Sequence, residues 1–106
     1  MITIKRDAEN MLRLIGLVDR SGAPGSTPVP VTGATLTGEI IEGDGDVIVT
    51  GLSLLMIGAS NDYEVLLTRV NSLLLVLEKD YDFQVEADDG VDRTRLFSDS
   101  LRAVEG

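Results

Sequence analysis

Cysteine and histidine are both absent from this chain of 106 residues, and tryptophan is absent with them. Without cysteine no disulfide framework holds the fold. A bridge-stapled secreted mini-domain is therefore excluded, and a reducing compartment is the expected place of synthesis. Without histidine the commonest general base and the commonest neutral metal ligand are missing together, which removes zinc sites of the usual kind. Aromatics number only four, Tyr63, Tyr81, Phe83 and Phe97, so the core has to be built from fifteen leucines with valine and isoleucine. Basic residues are scarce too, nine against eighteen acids. The net charge of −9 falls mainly on residues 54–106, which hold eleven acids and five bases. Such a surface repels nucleic-acid phosphate and anionic lipid, whose binding relies on Lys and Arg displacing counterions. Direct nucleic-acid binding is not expected. No stretch approaches the roughly 20 apolar residues of a membrane span, and MITIKRDAEN lacks the charged-then-apolar order of a signal peptide, so a soluble, untargeted protein is expected.

What is present points to β-structure. Tyr81, Phe83, Val85 and Ala87 alternate with Asp82, Gln84 and Glu86, the period-two mark of a half-buried strand. Just upstream, Leu75 and Leu77 lead through Glu78, Lys79 and Asp80 into Tyr81. This is the pattern of a chain crossing between two sheets with a tyrosine hydroxyl tying the corner. Tyr81, Leu75 and Leu77 are thus the expected structural corner. The length fits one domain with a single core. The fold class expected is all-β, an immunoglobulin-like antiparallel β-sandwich.

The remaining segments fit that frame. NMLRLIGLVDRSG reads as a strand running into a turn closed by Gly22. Residues 23–32 hold Pro24, Pro28 and Pro30 with Gly25, Ser26 and Thr27, which bars a central strand or a helix and predicts an exposed loop. VTGATLTGEI resumes the alternation, with Gly38 as a bulge position, and Gly43, Asp44, Gly45 and Asp46 form a hairpin turn before Val47–Thr50. One stretch is ambiguous. Tyr63, Leu66, Leu67, Val70, Leu74 and Leu77 also match a helix face, and Asn61 with Glu64 has the spacing of a capping box, so a helix within 62–77 and an α+β fold is the alternative. Two strands, DYEVLLTR and SLLLVL, are preferred because the neighbouring segments are all β. A turn at Asp88, Asp89 and Gly90 then leads to a last strand within Arg93–Val104.

Candidate sites are few. The acidic turn at 42–46 and the cluster Glu86, Asp88, Asp89 and Asp92 offer carboxylates to a weak cation but lack a full calcium-loop spacing, so solvated turn tips are the reading. Paired acids across a cleft, or serine with lysine in Ser-x-x-Lys spacing, are not assembled here. No catalytic residue, cofactor, metal or small-molecule substrate is expected, and the chain is not read as an enzyme. Arg93, Arg95 and Arg102 alternate with acids and read as a surface face. They and the prolines Pro24, Pro28 and Pro30 are the candidate partner contacts, arginine being enriched at interfaces.

The order of the segments GLVDRSG, a proline excursion, VTGATLTGEI, an acid-glycine turn, DYEVLL, SLLLVLEKDYDFQVEADDG and RTRLF resembles small immunoglobulin-like proteins encoded in tailed-phage structural gene clusters. The shared features are the GLVDRSG exit at 16–22, GATLT at 33–37, Y-x-x-x-L at 63–67 and L-x-x-x-Y-x-F-x-V at 77–85; they span most of the chain. The long proline-rich excursion departs from the pattern. The resemblance implies a virion component made in the host cytoplasm, a head, neck or tail accessory subunit whose partners are other virion proteins and copies of itself. A carbohydrate-binding or adhesin-like module is the alternative; it would expose aromatics, and these four are needed for the core.

Overall fold

The computed structural model describes residues 1–19, 29–30, 35–57, 61–88, 90–91 and 93–105. Among the described residues, nine strands and one helical turn follow in chain order: β1 (Ile2–Arg6), β2 (Asn10–Leu14), β3 (Val18–Asp19), β4 (Val29–Pro30), β5 (Thr35–Ile41), β6 (Val47–Met56), β7 (Tyr63–Leu67), α1 (Arg69–Ser72), β8 (Asp80–Asp88) and β9 (Arg93–Glu105). The all-β expectation holds. Seven strands form one continuous sheet in the order β1-β9-β8-β5-β6-β7-β2, and β3 with β4 makes a separate two-residue ribbon. All pairs in the large sheet are antiparallel except the first and last strands, β1 and β9, which run parallel.

Continuity comes from β6, which serves two neighbours. Its first half pairs with β5 through Ser53, and Leu54 to Met56 pair with β7. Between Gly38↔Leu52 and Ile40↔Val49, β6 carries one residue more than β5, and Gly51 takes the extra turn at φ +72°. Such a bulge bends the strand and resets its pleat. Buried positions accordingly step from Val49 to Leu52 and then to Leu54. The sheet curls until it is nearly barrel-shaped. Its two edges, β1 and β2, are joined by the tight turn at 7–9, and Asn10 fastens the seam by accepting from Lys5 N and donating to Lys5 O, both at 2.9 Å.

The concave side is the core. Tyr81, Phe83, Val85 and Ala87 of β8 are buried, and Phe83 packs edge-on against Phe97 of β9 with centroids 6.2 Å apart. Gly38 of β5 makes room for the Phe83 ring: a Cβ there would stand 3.1 Å from it.

Residues 62–77 divide differently from either expectation. Tyr63–Leu67 is strand β7, held between β6 and β2, and the helix shrinks to the single turn α1, with Thr68 Oγ1 accepting from Asn71 N. SLLLVL does not form a strand: Leu73 to Val76 are irregular, and only Leu77 bridges, parallel, to Ala103. The reason lies in β1. Arg6 donates Nε to Leu75 O at 2.8 Å and Nη2 to Leu73 O at 3.2 Å, so a side chain takes the carbonyls that a ladder would use. The expected exposed loop at 23–32 lies outside the described residues except for Val29 and Pro30, which pair with Asp19 and Val18 as a ribbon rather than as loop.

Candidate docking surfaces

Tyr81 is 2% exposed, and its hydroxyl accepts from Val76 N at 2.9 Å. Leu75 is buried beside it, whereas Leu77 is 40% exposed. Lys79 lies over the Tyr81 ring at 5.5 Å from its centroid and reaches Glu42 Oε1 at 2.7 Å. The hydrogen bond that Lys79 donates to Glu42 raises the lysine pKa above its ordinary value, with the nearby acids reinforcing it. Tyr81→Phe keeps the ring and removes the hydroxyl, leaving Val76 N–H unpaired. The expected loss is about 1 kcal/mol. Urea denaturation measures it, and an unchanged midpoint would count against a corner held by the hydroxyl.

The convex face of β8 and β9 is a ladder of acids and arginines set by register. Asp80 faces Arg102, Glu86 faces Arg95 and Asp88 faces Arg93. Arg102 Nε meets Asp80 Oδ1 at 2.7 Å and Arg93 Nη2 meets Glu86 Oε2 at 3.0 Å. Arg93 and Arg102 are thus engaged within the chain. Of the candidate prolines, Pro24 and Pro28 lie outside the described residues, and Pro30 is placed only as a backbone partner of Val18.

The hydrogen bond from Arg102 is the main cause that holds the Asp80 carboxyl below the usual aspartate range. A carboxyl depressed in the folded state adds stability above its unfolded pKa and loses it as pH falls through the folded value. In Arg102→Ala the Asp80 pKa is expected to rise to the ordinary range. A nuclear magnetic resonance titration reads this directly, and an unmoved midpoint would contradict the assignment.

Several carboxylates of the two acidic clusters are engaged by the chain's own groups. Ligand atoms of Glu42, Asp44 and Asp46 lie within 4.8 Å of one another. Glu42 is already neutralised by Lys79, and Asp44 Oδ1 accepts from Asp46 N at 3.1 Å. In the second cluster Glu86 pairs with Arg93 and Asp88 Oδ1 caps Gly90 N at 2.8 Å, while Asp89 and Asp92 lie outside the described residues.

The convex face of β6, β7 and β2 has the opposite character. Met11, Leu55 and Leu66 are exposed at 54%, 65% and 42%, and Met11 stands directly across from Leu66. Gly51, Ser53 and Glu64 complete a shallow groove of about 260 Å³ between them, with Glu64 directly across from Leu55. Exposed apolar patches rimmed by polar groups mark contact surfaces. The sequence reading missed these residues. Their signal is present in hindsight: NMLRL, LSLLMI and YEVLL place apolar residues on both faces of strands that have only one buried side. A second groove of about 400 Å³ opens at the seam, where Ile2, Leu12, Leu14, Leu96 and Phe97 meet. No family model matches the chain, and no curated protein matches it.

Proposed function

We propose that this chain is an immunoglobulin-like accessory subunit of a tailed-phage virion, working by docking onto protein rather than by chemistry. The observation that carries docking is the apolar convex face of Met11, Leu55 and Leu66 on a chain whose other convex face is a charged ladder. An immunoglobulin-like assignment is supported by strand order. Taking β2, β7 and the second half of β6 as B-E-D leaves β9, β8, β5 and the first half of β6 as G-F-C-C′, the pairing of a variable-type sandwich. Tyr81 then starts strand F, and its hydroxyl reaches back five residues to Val76, as the tyrosine corner requires. The virion role rests on the resemblance of the chain's segment order to phage immunoglobulin-like proteins.

Docking is favoured over sugar binding by the aromatics. Tyr63, Tyr81 and Phe83 are buried and Phe97 packs against the core, so none forms an exposed stacking platform. The test is to purify virions of the encoding phage and detect the chain by mass spectrometry, with wild type beside Leu55→Glu and Leu66→Glu. Folded variants lost from particles would support the docking face. Equal incorporation would reject that face, and absence of the wild-type chain would reject the virion reading.

A further inference from the structure

We infer that the free edge of β2 is a self-association edge, along which a second copy of this chain pairs antiparallel about Met11. Among the described residues only β7 pairs with β2, which ends the sheet. An edge strand presents unpaired backbone N–H and C=O groups, and proteins blunt such edges with lysine, proline, bulges or inward-pointing charges. Asn10–Leu14 has none of these. Its register with β7 runs without a shift, Leu12 and Leu14 face the core, and the single charge, Arg13, points outward. Asn10 spends its amide on the Lys5 backbone and does not cap the edge.

Charge names the occupant. Glu9, Met11 and Arg13 are exposed at alternate positions. In an antiparallel pair centred on Met11 and extended by one residue into the turn that precedes β2, each Glu9 would face the other copy's Arg13, and the two Met11 side chains would meet. Opposite charges directly across strands stabilise, and like charges destabilise. An edge complementary to itself in both register and sign is what a two-fold contact between identical chains requires. Although the net charge of −9 sets two copies against each other, this edge brings two positive and two negative groups together in alternation. The convex faces stay open, and Leu66 and Met11 of both copies would line up in one apolar row across the contact. A contact of about five residues per strand falls below the size of permanent interfaces, so the dimer is concentration-dependent.

The inference stands apart from the virion reading, because it is tested on the purified chain alone. Wild type is expected to sediment as a monomer when dilute and as a dimer toward millimolar concentration. Glu9→Lys sets like positive charges across the contact and Arg13→Glu sets like negative ones; each should weaken association by about tenfold or more. Mixed together, the two variants regain both opposite-charge pairs and should form a heterodimer where neither dimerises alone. A mixture that sediments like its separate components would overturn the proposal. Because Arg13→Glu also faces Glu64 across the β2–β7 ladder, a second variant keeps the test independent of its folding. Met11→Cys introduces a single thiol into a cysteine-free chain, and residues directly opposite in an antiparallel pair lie within disulfide reach. Oxidation with copper phenanthroline should give a covalent dimer from Met11→Cys and none from Ser53→Cys on β6. Failure of Met11→Cys to cross-link at the dimer concentration would equally reject the pairing.

Discussion

Phe83→Ala is expected to cost about 3–5 kcal/mol, the range for truncating a buried aromatic. A small domain holds only about 5–15 kcal/mol in total, so this variant should sit close to its unfolding threshold. The size of the effect follows from what surrounds the ring. Phe83 is fully buried at the middle of β8, between β5 and β9. Gly38 on one side leaves the space that the ring fills, and Phe97 meets its edge on the other at an interplanar angle of 64°. Collapse around the truncated side chain is resisted by backbone ladders on both flanks, so most of the cavity persists. Gly38→Ala offers a matched probe. Its Cβ would crowd the ring at 3.1 Å in wild type, whereas in the Phe83→Ala background it fills vacated space. The two substitutions should therefore be less costly together than their separate effects imply. Urea denaturation of the four chains measures this. A loss under about 1 kcal/mol for Phe83→Ala would mean that the site relaxes and the ring is not central to the core.

The parts of this fold legible in the sequence are those where one local pattern has one structural solution. Tyr81 to Ala87 alternates because one face is buried and the other wet, and β8 follows that alternation through Ala87. Gly45 supplies the positive φ of its turn, and the hairpin between β5 and β6 follows. What stayed hidden depends on partners distant in sequence. The split pairing of β6, the parallel match of β1 with β9 and the Arg6 bonds to Leu73 and Leu75 each join segments that carry no mutual signal. The exposed apolar face was obscured for another reason. A continuous run such as LSLLMI reads as buried on both sides, and Leu55 is left in solvent because no layer among the described residues covers it. Tyr63 to Leu67 shows tertiary pairing overriding a helical period, since strands on both flanks supply more hydrogen bonds than a solitary helix end.

Ser72→Ala is expected to destabilise the chain by about 1–3 kcal/mol, more than a single surface change of this size would suggest. Ser72 is the one fully buried polar side chain among the described residues. Its Oγ accepts from Asp7 N at 3.0 Å and Ala8 N at 3.3 Å and donates to Arg69 O at 2.7 Å. Those two amides belong to the turn that joins the edges of the sheet, where Asp7 takes a positive φ of 62° that a non-glycine residue adopts at a cost. One hydroxyl therefore ties the seam to the corner that carries Tyr81, and the Asp7–Arg69 ion pair adds only an exposed contact to it. Alanine keeps nearly the same volume and leaves both N–H groups facing a methyl, so a loss of stability reports hydrogen bonding and not packing. Hydrogen exchange separates this from a general loosening. Exchange at Asp7 and Ala8 should quicken by more than the change in global stability allows, while the core amides of β8 track the global value. An unchanged urea midpoint together with unchanged exchange at those two amides would show that the turn holds its shape without Ser72.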